Sequence, residues 1–244
     1  MASLLETGFR SSHGIIPALD SETLDEIKAV IEATTRITGI VGYKVGLTAV
    51  LRVGLAKAVQ ELRRFTDLPL IYDHQKAGAD VPDMAAKFTA ICREAGVDGL
   101  ILFPVAGPRA VREFAGGAMR DGLLPIVGGD LPLPDYNVSG GGYVADDALV
   151  RIIGEAVQLG VDHFVIPANN ASRVKQLSVQ IAGLLDHPPA LVLPGIGALG
   201  GSIRDVFAAA GQCRCYAVVG RAIYRAPAPA EAAKALAEEA LAFA

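Results

Sequence analysis

The chain has 244 residues, 52% of them hydrophobic, and a formal net charge of −4. It can bury a large core, and with no basic block it offers nothing to nucleic acid or an anionic membrane surface. No apolar run approaches the ~20 residues of a spanning helix, and Met1-Ala2-Ser3-Leu4-Leu5-Glu6 lacks the basic start and long apolar core of a secretion signal, so the expected location is the cytoplasm.

Residues 1–12 read as an N-terminal extension, and from there apolar strand-like runs alternate with amphipathic helical stretches. Ile15–Leu19 is the first strand and ends at Asp20; Ser21 is placed to cap a helix through about Thr35. Ile40–Tyr43 ends at Lys44 and leads to a helix over about Ala49–Arg64. Leu68–Tyr72 ends at Asp73, and the next helix starts near Asp80 or Pro82 and stops near Ala95-Gly96. Val97–Phe103 is followed by a helix at about Arg109–Ala115. Leu123–Val127 is followed by the long irregular stretch Gly128–Tyr143 and a helix at about Asp146–Leu159. His163–Pro167, Ala190–Leu193 and Tyr216–Val219 complete the strands, and an Ala-rich helix closes the chain. The three cysteines, Cys92, Cys213 and Cys215, are an odd number with no partners at metal-ligand spacing, and read as free thiols.

Eight near-continuously apolar strands, each separated from the next by a helix, predict a parallel sheet. Eight is also the number that closes a (β/α)8 TIM barrel, so the expected architecture is one α/β domain over residues 1–244. An open doubly wound sheet would carry a Gly-rich phosphate loop after its first strand, and Asp20-Ser21-Glu22 is no such loop.

In a barrel the chemistry sits at the C-terminal strand ends. Asp20, Lys44 and the octapeptide Asp73-His74-Gln75-Lys76-Ala77-Gly78-Ala79-Asp80 all fall there. Partly buried charges must be paired or change protonation state, so three charged strand ends predict an active site. His74, next to Asp73 on a strand, is expected to point to the opposite face; His13, His163 and His187 fall at strand starts or connections, away from the chemistry. After the last two strands come Pro194-Gly195-Ile196-Gly197-Ala198-Leu199-Gly200-Gly201 and Gly220-Arg221. Glycines that let backbone N–H groups approach an anion, beside an arginine fork, predict a phosphate site built from Pro194, Gly195, Gly200, Gly201, Gly220 and Arg221.

Five segments taken together resemble the orotidine 5'-phosphate decarboxylase family. They are Ala18-Leu19-Asp20, Tyr43-Lys44-Val45-Gly46, Asp73…Lys76…Asp80-Val81-Pro82, Pro194-Gly195-Ile196-Gly197 with Gly200-Gly201, and Val219-Gly220-Arg221-Ala222-Ile223-Tyr224. The resemblance implies decarboxylation of orotidine 5'-monophosphate to uridine 5'-monophosphate by a metal-free, cofactor-free homodimer with shared sites. It assigns Lys76 as proton donor, Asp73 beside the substrate carboxylate, Lys44 and Asp20 to the charged array and ribose, and Asp80 to the partner's site. The chain departs from the family pattern in three places. Its array reads Asp-x-x-Lys-x-x-x-Asp, one residue longer in each gap, which requires a bulge or an early turn. Leu199 stands where a Gln is common and Met84 where a Thr is common. For the family's base-reading Ser, Asp130 and Ser139 are the candidates.

Two alternatives remain at this point. A sugar-phosphate decarboxylase or aldolase of the same superfamily would need Mg²⁺, but Lys44 occupies the position where a Glu ligand is expected. A non-catalytic nucleotide-binding barrel is the other.

Overall fold

A computed structural model describes residues 3–75, 77–197 and 200–244, and in it the apolar runs form eight parallel strands paired in chain order. They are β1 (His13–Leu19), β2 (Tyr43–Val45), β3 (Leu70–Asp73) and β4 (Gly99–Leu102), then β5 (Leu124–Val127), β6 (His163–Val165), β7 (Ala190–Pro194) and β8 (Arg214–Val219). β8 returns to β1, from His13 opposite Cys215 to Pro17 opposite Val219, and closes the barrel.

Between and around them lie α1 (Leu4–Thr7), α2 (Leu24–Thr34), α3 (Leu47–Val53), α4 (Leu55–Leu62), α5 (Ala85–Glu94) and α6 (Pro108–Arg120). The remaining helices are α7 (Ala148–Val157), α8 (Ala171–Ala182), α9 (Ile203–Ala210), α10 (Arg221–Tyr224) and α11 (Pro229–Leu241). Among the described residues no helix is long and apolar enough to cross a membrane.

The period of two along a strand sorts the apolar side chains into two cores. Ile16, Ala18, Ile71, Ile101, Ile126, Val165, Val192 and Val218 fill the barrel interior. Leu19, Tyr43, Val45, Leu70, Tyr72, Leu100 and Leu102 face the helices. Residues before β1 are part of the fold: Leu4 and Phe9 join the interior cluster, and the Phe9 ring lies 4.4 Å from that of Tyr216. The same inward phase carries Asp20, Lys44 and Asp73 to the mouth as the last inward positions of their strands.

Several local readings shift. Thr23, not Ser21, caps α2 through a capping box with Glu26, and Ser21 is buried. The helix expected over 49–64 is two helices, because Gly54 at φ +82° breaks it. A single turn of 3-10 helix at Pro82–Met84 precedes α5, and α6 runs on to Arg120. Cys92, Cys213 and Cys215 are free and buried, and burial pushes the Cys92 thiol up to about 12.

Candidate active site

Three adjacent strands hold the centre of the site. Pairing Ala18 with Lys44 and Lys44 with Ile71 sets the ends of β1, β2 and β3 side by side. Lys44 is 9% exposed, and its Nζ lies 3.0 Å from Asp20 Oδ2 and 3.0 Å from Asp73 Oδ2. Burial alone would lower the lysine pKa; attraction and hydrogen bonds from Asp73 and then Asp20 outweigh it and raise the pKa above the ordinary value. The ammonium is therefore fixed as a cation between two carboxylates. Asp73 Oδ1 is buried and accepts no hydrogen bond from the described residues, leaving one lone-pair edge of the array unused.

Gly46 lets the array close. A Cβ on it would stand 1.9 Å from Asp20 Oδ1, so any side chain there would push that carboxylate from its present position. The lengthened motif is met by an early turn: β3 stops at Asp73, Gln75 lies in a turn, and Ala77–Ala79 form one turn of 3-10 helix. That turn packs on the end of β4, since a Cβ on Gly78 would come within 2.5 Å of Pro104 Cα. Lys76 lies outside the described residues, as does Leu199. Asp80 is exposed beyond the turn, with Oδ1 accepting from the Val81 amide at 2.7 Å, and does not line the cavity.

A cavity of about 260 Å³ opens over this array. Asp20, Lys44, Asp73 and Gln75 form one side, and Ile101, Val165, Val192 and Val218 form an apolar floor. Pro194, Gly195, Gly220, Arg221 and Tyr224 form the other side. Arg221 is exposed there and makes no ion pair with a described residue, so its guanidinium is available to an anion. Gly200 and Gly201 are not on the cavity wall. The amides of Gly197, Gly200 and Gly201 donate to carbonyls of Gly201, Gly197 and Gly195, and a Cβ on Gly201 would be 2.2 Å from Ala168 O. These glycines shape the loop that carries Gly195, rather than offering amides themselves.

Composition and spacing pointed to the charged residues but not to Gln75 or Tyr224, which line the cavity as neutral polar groups. Both lie within quoted motifs, and adjacency to Asp73 and Arg221 was the only signal available. His74 turns away, its Nδ1 2.6 Å from Tyr72 Oη and its ring packed on Phe88. His13, His163 and His187 lie near the N-terminal strand ends, beside Ser12, Asp162 and Asp186.

Of the two candidates in the long loop, Ser139 is tied to Asp146 by its hydroxyl and its amide. Asp130 is 7% exposed with Oδ1 unpartnered among the described residues, and Arg173 approaches its other oxygen at 4.0 Å. Burial raises the Asp130 pKa, with Arg173 opposing. Neither residue lines the cavity. The run Gly140-Gly141-Gly142 is a packed turn: Cβ atoms on Gly140 and Gly142 would meet Pro134 O at 1.9 Å and Tyr136 O at 2.1 Å. Among the described residues no group of three or more His, Cys, Asp or Glu side chains is placed to hold a metal ion.

Known proteins are similar to this chain in sequence and in fold. The chain is 30% identical to orotidine 5'-phosphate decarboxylase of Methanosarcina mazei over 225 residues, covering 92% of this chain and 94% of the relative. It is 29% identical to that of Thermococcus kodakarensis over 227 residues, covering 93% and 96%. Among solved structures, the orotidine 5'-monophosphate decarboxylase of Methanocaldococcus jannaschii complexed with the inhibitor BMP superposes with a TM-score of 0.79 at 25% identity, covering 93% of this chain and 98% of that one. The Pyrococcus horikoshii enzyme gives 0.75 at 25% identity, covering 92% and 98%. The family described as orotidine 5'-phosphate decarboxylase / HUMPS matches residues 14–236, and the chain belongs to it.

Proposed function

We propose that the chain is a carboxy-lyase that converts orotidine 5'-monophosphate to uridine 5'-monophosphate, without metal or cofactor. The observation that carries the reading is Lys44 bridging Asp20 and Asp73 beneath a cavity whose far side holds Arg221. Breaking the bond between the pyrimidine ring and its carboxylate releases CO2 and leaves an electron pair on a ring carbon with no adjacent carbonyl to take it. The site must answer with a fixed cation and a proton. Lys76 is the residue assigned both roles: it stabilises the developing charge and gives a proton to the carbon, and solvent restores that proton. Asp73, whose Oδ1 accepts no hydrogen bond among the described residues, would lie beside the substrate carboxylate and disfavour it relative to the less charged transition state. Lys44 bridges Asp73 and Asp20 through its ammonium, and Asp20 with Lys44 binds ribose hydroxyls. Arg221 takes the phosphate, so that binding energy remote from the reacting carbon holds the base in place.

The site is completed by a second copy of the chain. Asp80 stands outside its own cavity, and Leu51, Val81 and Met84 beyond β2 and β3 are 75%, 61% and 40% exposed, apolar surface that a partner subunit would cover. Asp80 then serves the neighbour's array. The three free thiols suit a reducing cytoplasm. A Mg²⁺-dependent sugar-phosphate chemistry is disfavoured because the two carboxylates best placed to share a cation, Asp20 and Asp73, already share Lys44. The test is incubation with orotidine 5'-monophosphate and EDTA while following pyrimidine absorbance. Turnover unaffected by chelator is expected; a Mg²⁺ requirement, or binding without turnover, sinks the reading.

A further inference from the structure

On the face opposite the mouth, four arginines line one cavity of about 390 Å³: Arg10 ahead of β1, Arg36 after α2, and Arg63 and Arg64 after α4. Asp67 is the one carboxylate on its wall among the described residues, and Asp98 and Glu61 reach Arg63 and Arg64 from beside it. Arg63 is anchored by Asp98 and by the carbonyl of Leu68 at 2.8 Å. Arg64 makes only a 3.5 Å contact with Glu61, which Lys28 shares at 3.2 Å. Arg10 and Arg36 pair with no described residue, although Asp67 lies on the same wall. The wall itself is stiff. Thr35 and Thr66 hydroxyls are 2.7 Å apart, Thr66 is buried, and its Oγ1 accepts from the Leu68 amide at 3.1 Å.

Helix C-termini favour a nearby cation, which accounts for Arg36 and Arg63 one at a time. It does not account for Arg10, which comes from a different segment, or for the convergence of all four on one concavity. Arg63 and Arg64 have carboxylate partners, but Arg10 and Arg36 bring two further like charges to the same concavity with no ion pair among the described residues, and an anion whose oxygens match guanidinium forks relieves that repulsion. Free guanidiniums from two elements, about a cavity roomier than one phosphate needs, suit a ligand with two linked phosphoryl groups. We propose that this cavity binds a diphosphate-bearing anion, either free pyrophosphate or the tail of a nucleotide, independently of the mouth.

The test is calorimetric titration of the full-length protein at low ionic strength, with inorganic pyrophosphate and with uridine triphosphate as separate probes. Pyrophosphate should bind in an Arg221→Gln background, where the mouth is weakened, and should weaken about tenfold or more in Arg10→Gln/Arg36→Gln. Both arginines are exposed and pair with no described residue, so that variant should keep the wild-type thermal midpoint; Arg36→Lys, which keeps the charge, should retain part of the affinity. Equal affinity for the two probes assigns the free anion, and tighter triphosphate binding assigns a nucleotide. Absence of binding in the Arg221→Gln background, undiminished binding in the double variant, or a single-stranded oligonucleotide that outcompetes pyrophosphate there would each overturn the proposal.

Discussion

Lys44 sits in a balance that is easily upset. Its two carboxylate partners keep it charged although it is nearly buried, and removing it leaves Asp20 and Asp73 facing each other unneutralised. Lys44→Met should cost about 3 kcal/mol of stability, the scale of breaking a buried pair, and should abolish activity. The pH dependence has a definite sign. A lysine pKa raised by folding contributes stability that is fully present below the ordinary value of 10.5 and is lost as pH rises through the folded value. Wild-type protein should therefore lose stability on an alkaline limb above about 10.5 that Lys44→Met lacks. Denaturant midpoints measured between neutral and strongly alkaline pH check this; identical limbs in the two proteins would show that Lys44 is not held by its carboxylates. The three array residues were legible because strand-end charges on inward positions have few structural reasons to exist. Gly46 belonged to a recognised segment, but its role was not legible. That role comes from the Asp20 carboxylate beyond the neighbouring strand, which a Cβ on Gly46 would approach to 1.9 Å, and no local pattern encodes that approach.

At the scale of elements, period and punctuation yielded the eight strands and their order, because buried parallel strands are apolar on both faces. Boundaries moved where a single residue decided them. Gly54 at φ +82° divides one expected helix, and Thr23 with Glu26 outcompetes Ser21 for the cap because the reciprocal pair satisfies two amides at once. The glycines after β7 illustrate an ambiguity of residue type. Gly195 lines the cavity, whereas Gly200 and Gly201 serve the turn behind it, and a glycine looks the same in either role. The proposed phosphate site consequently rests on Arg221 at the start of α10. Arg221→Ala should lose about 2–4 kcal/mol of transition-state stabilisation in kcat/KM with the nucleotide. It should lose little with the corresponding nucleoside, which has no phosphate to hold. Equal losses with the two substrates would assign Arg221 a structural role instead.

For the whole molecule, the barrel brings the Asp20–Lys44–Asp73 array and Arg221 together across one cavity, yet places Asp80 outside it. If the partner subunit receives that carboxylate, mixing inactive Asp80→Ala with inactive Lys76→Ala protein should restore activity. Each hybrid dimer then holds one site with both groups intact, so recovery up to about a quarter of wild type is expected after random exchange. Subunit exchange confirmed by mass-tagged chains with no recovery would place Asp80 in its own chain's site. Such sharing could not be read from spacing, since sequence order says nothing about which copy a loop end approaches. The central claim is narrower than assembly: one lysine of the lengthened motif delivers the proton. It is tested most directly by Lys76→Ala, measuring single-turnover decarboxylation alongside the affinity for uridine 5'-monophosphate. The account predicts loss of turnover by at least about a thousandfold, the scale of general acid catalysis with the accompanying electrostatic term, while product binding stays within a few-fold of wild type. Retention of most of the activity would contradict it and pass the proton to another group.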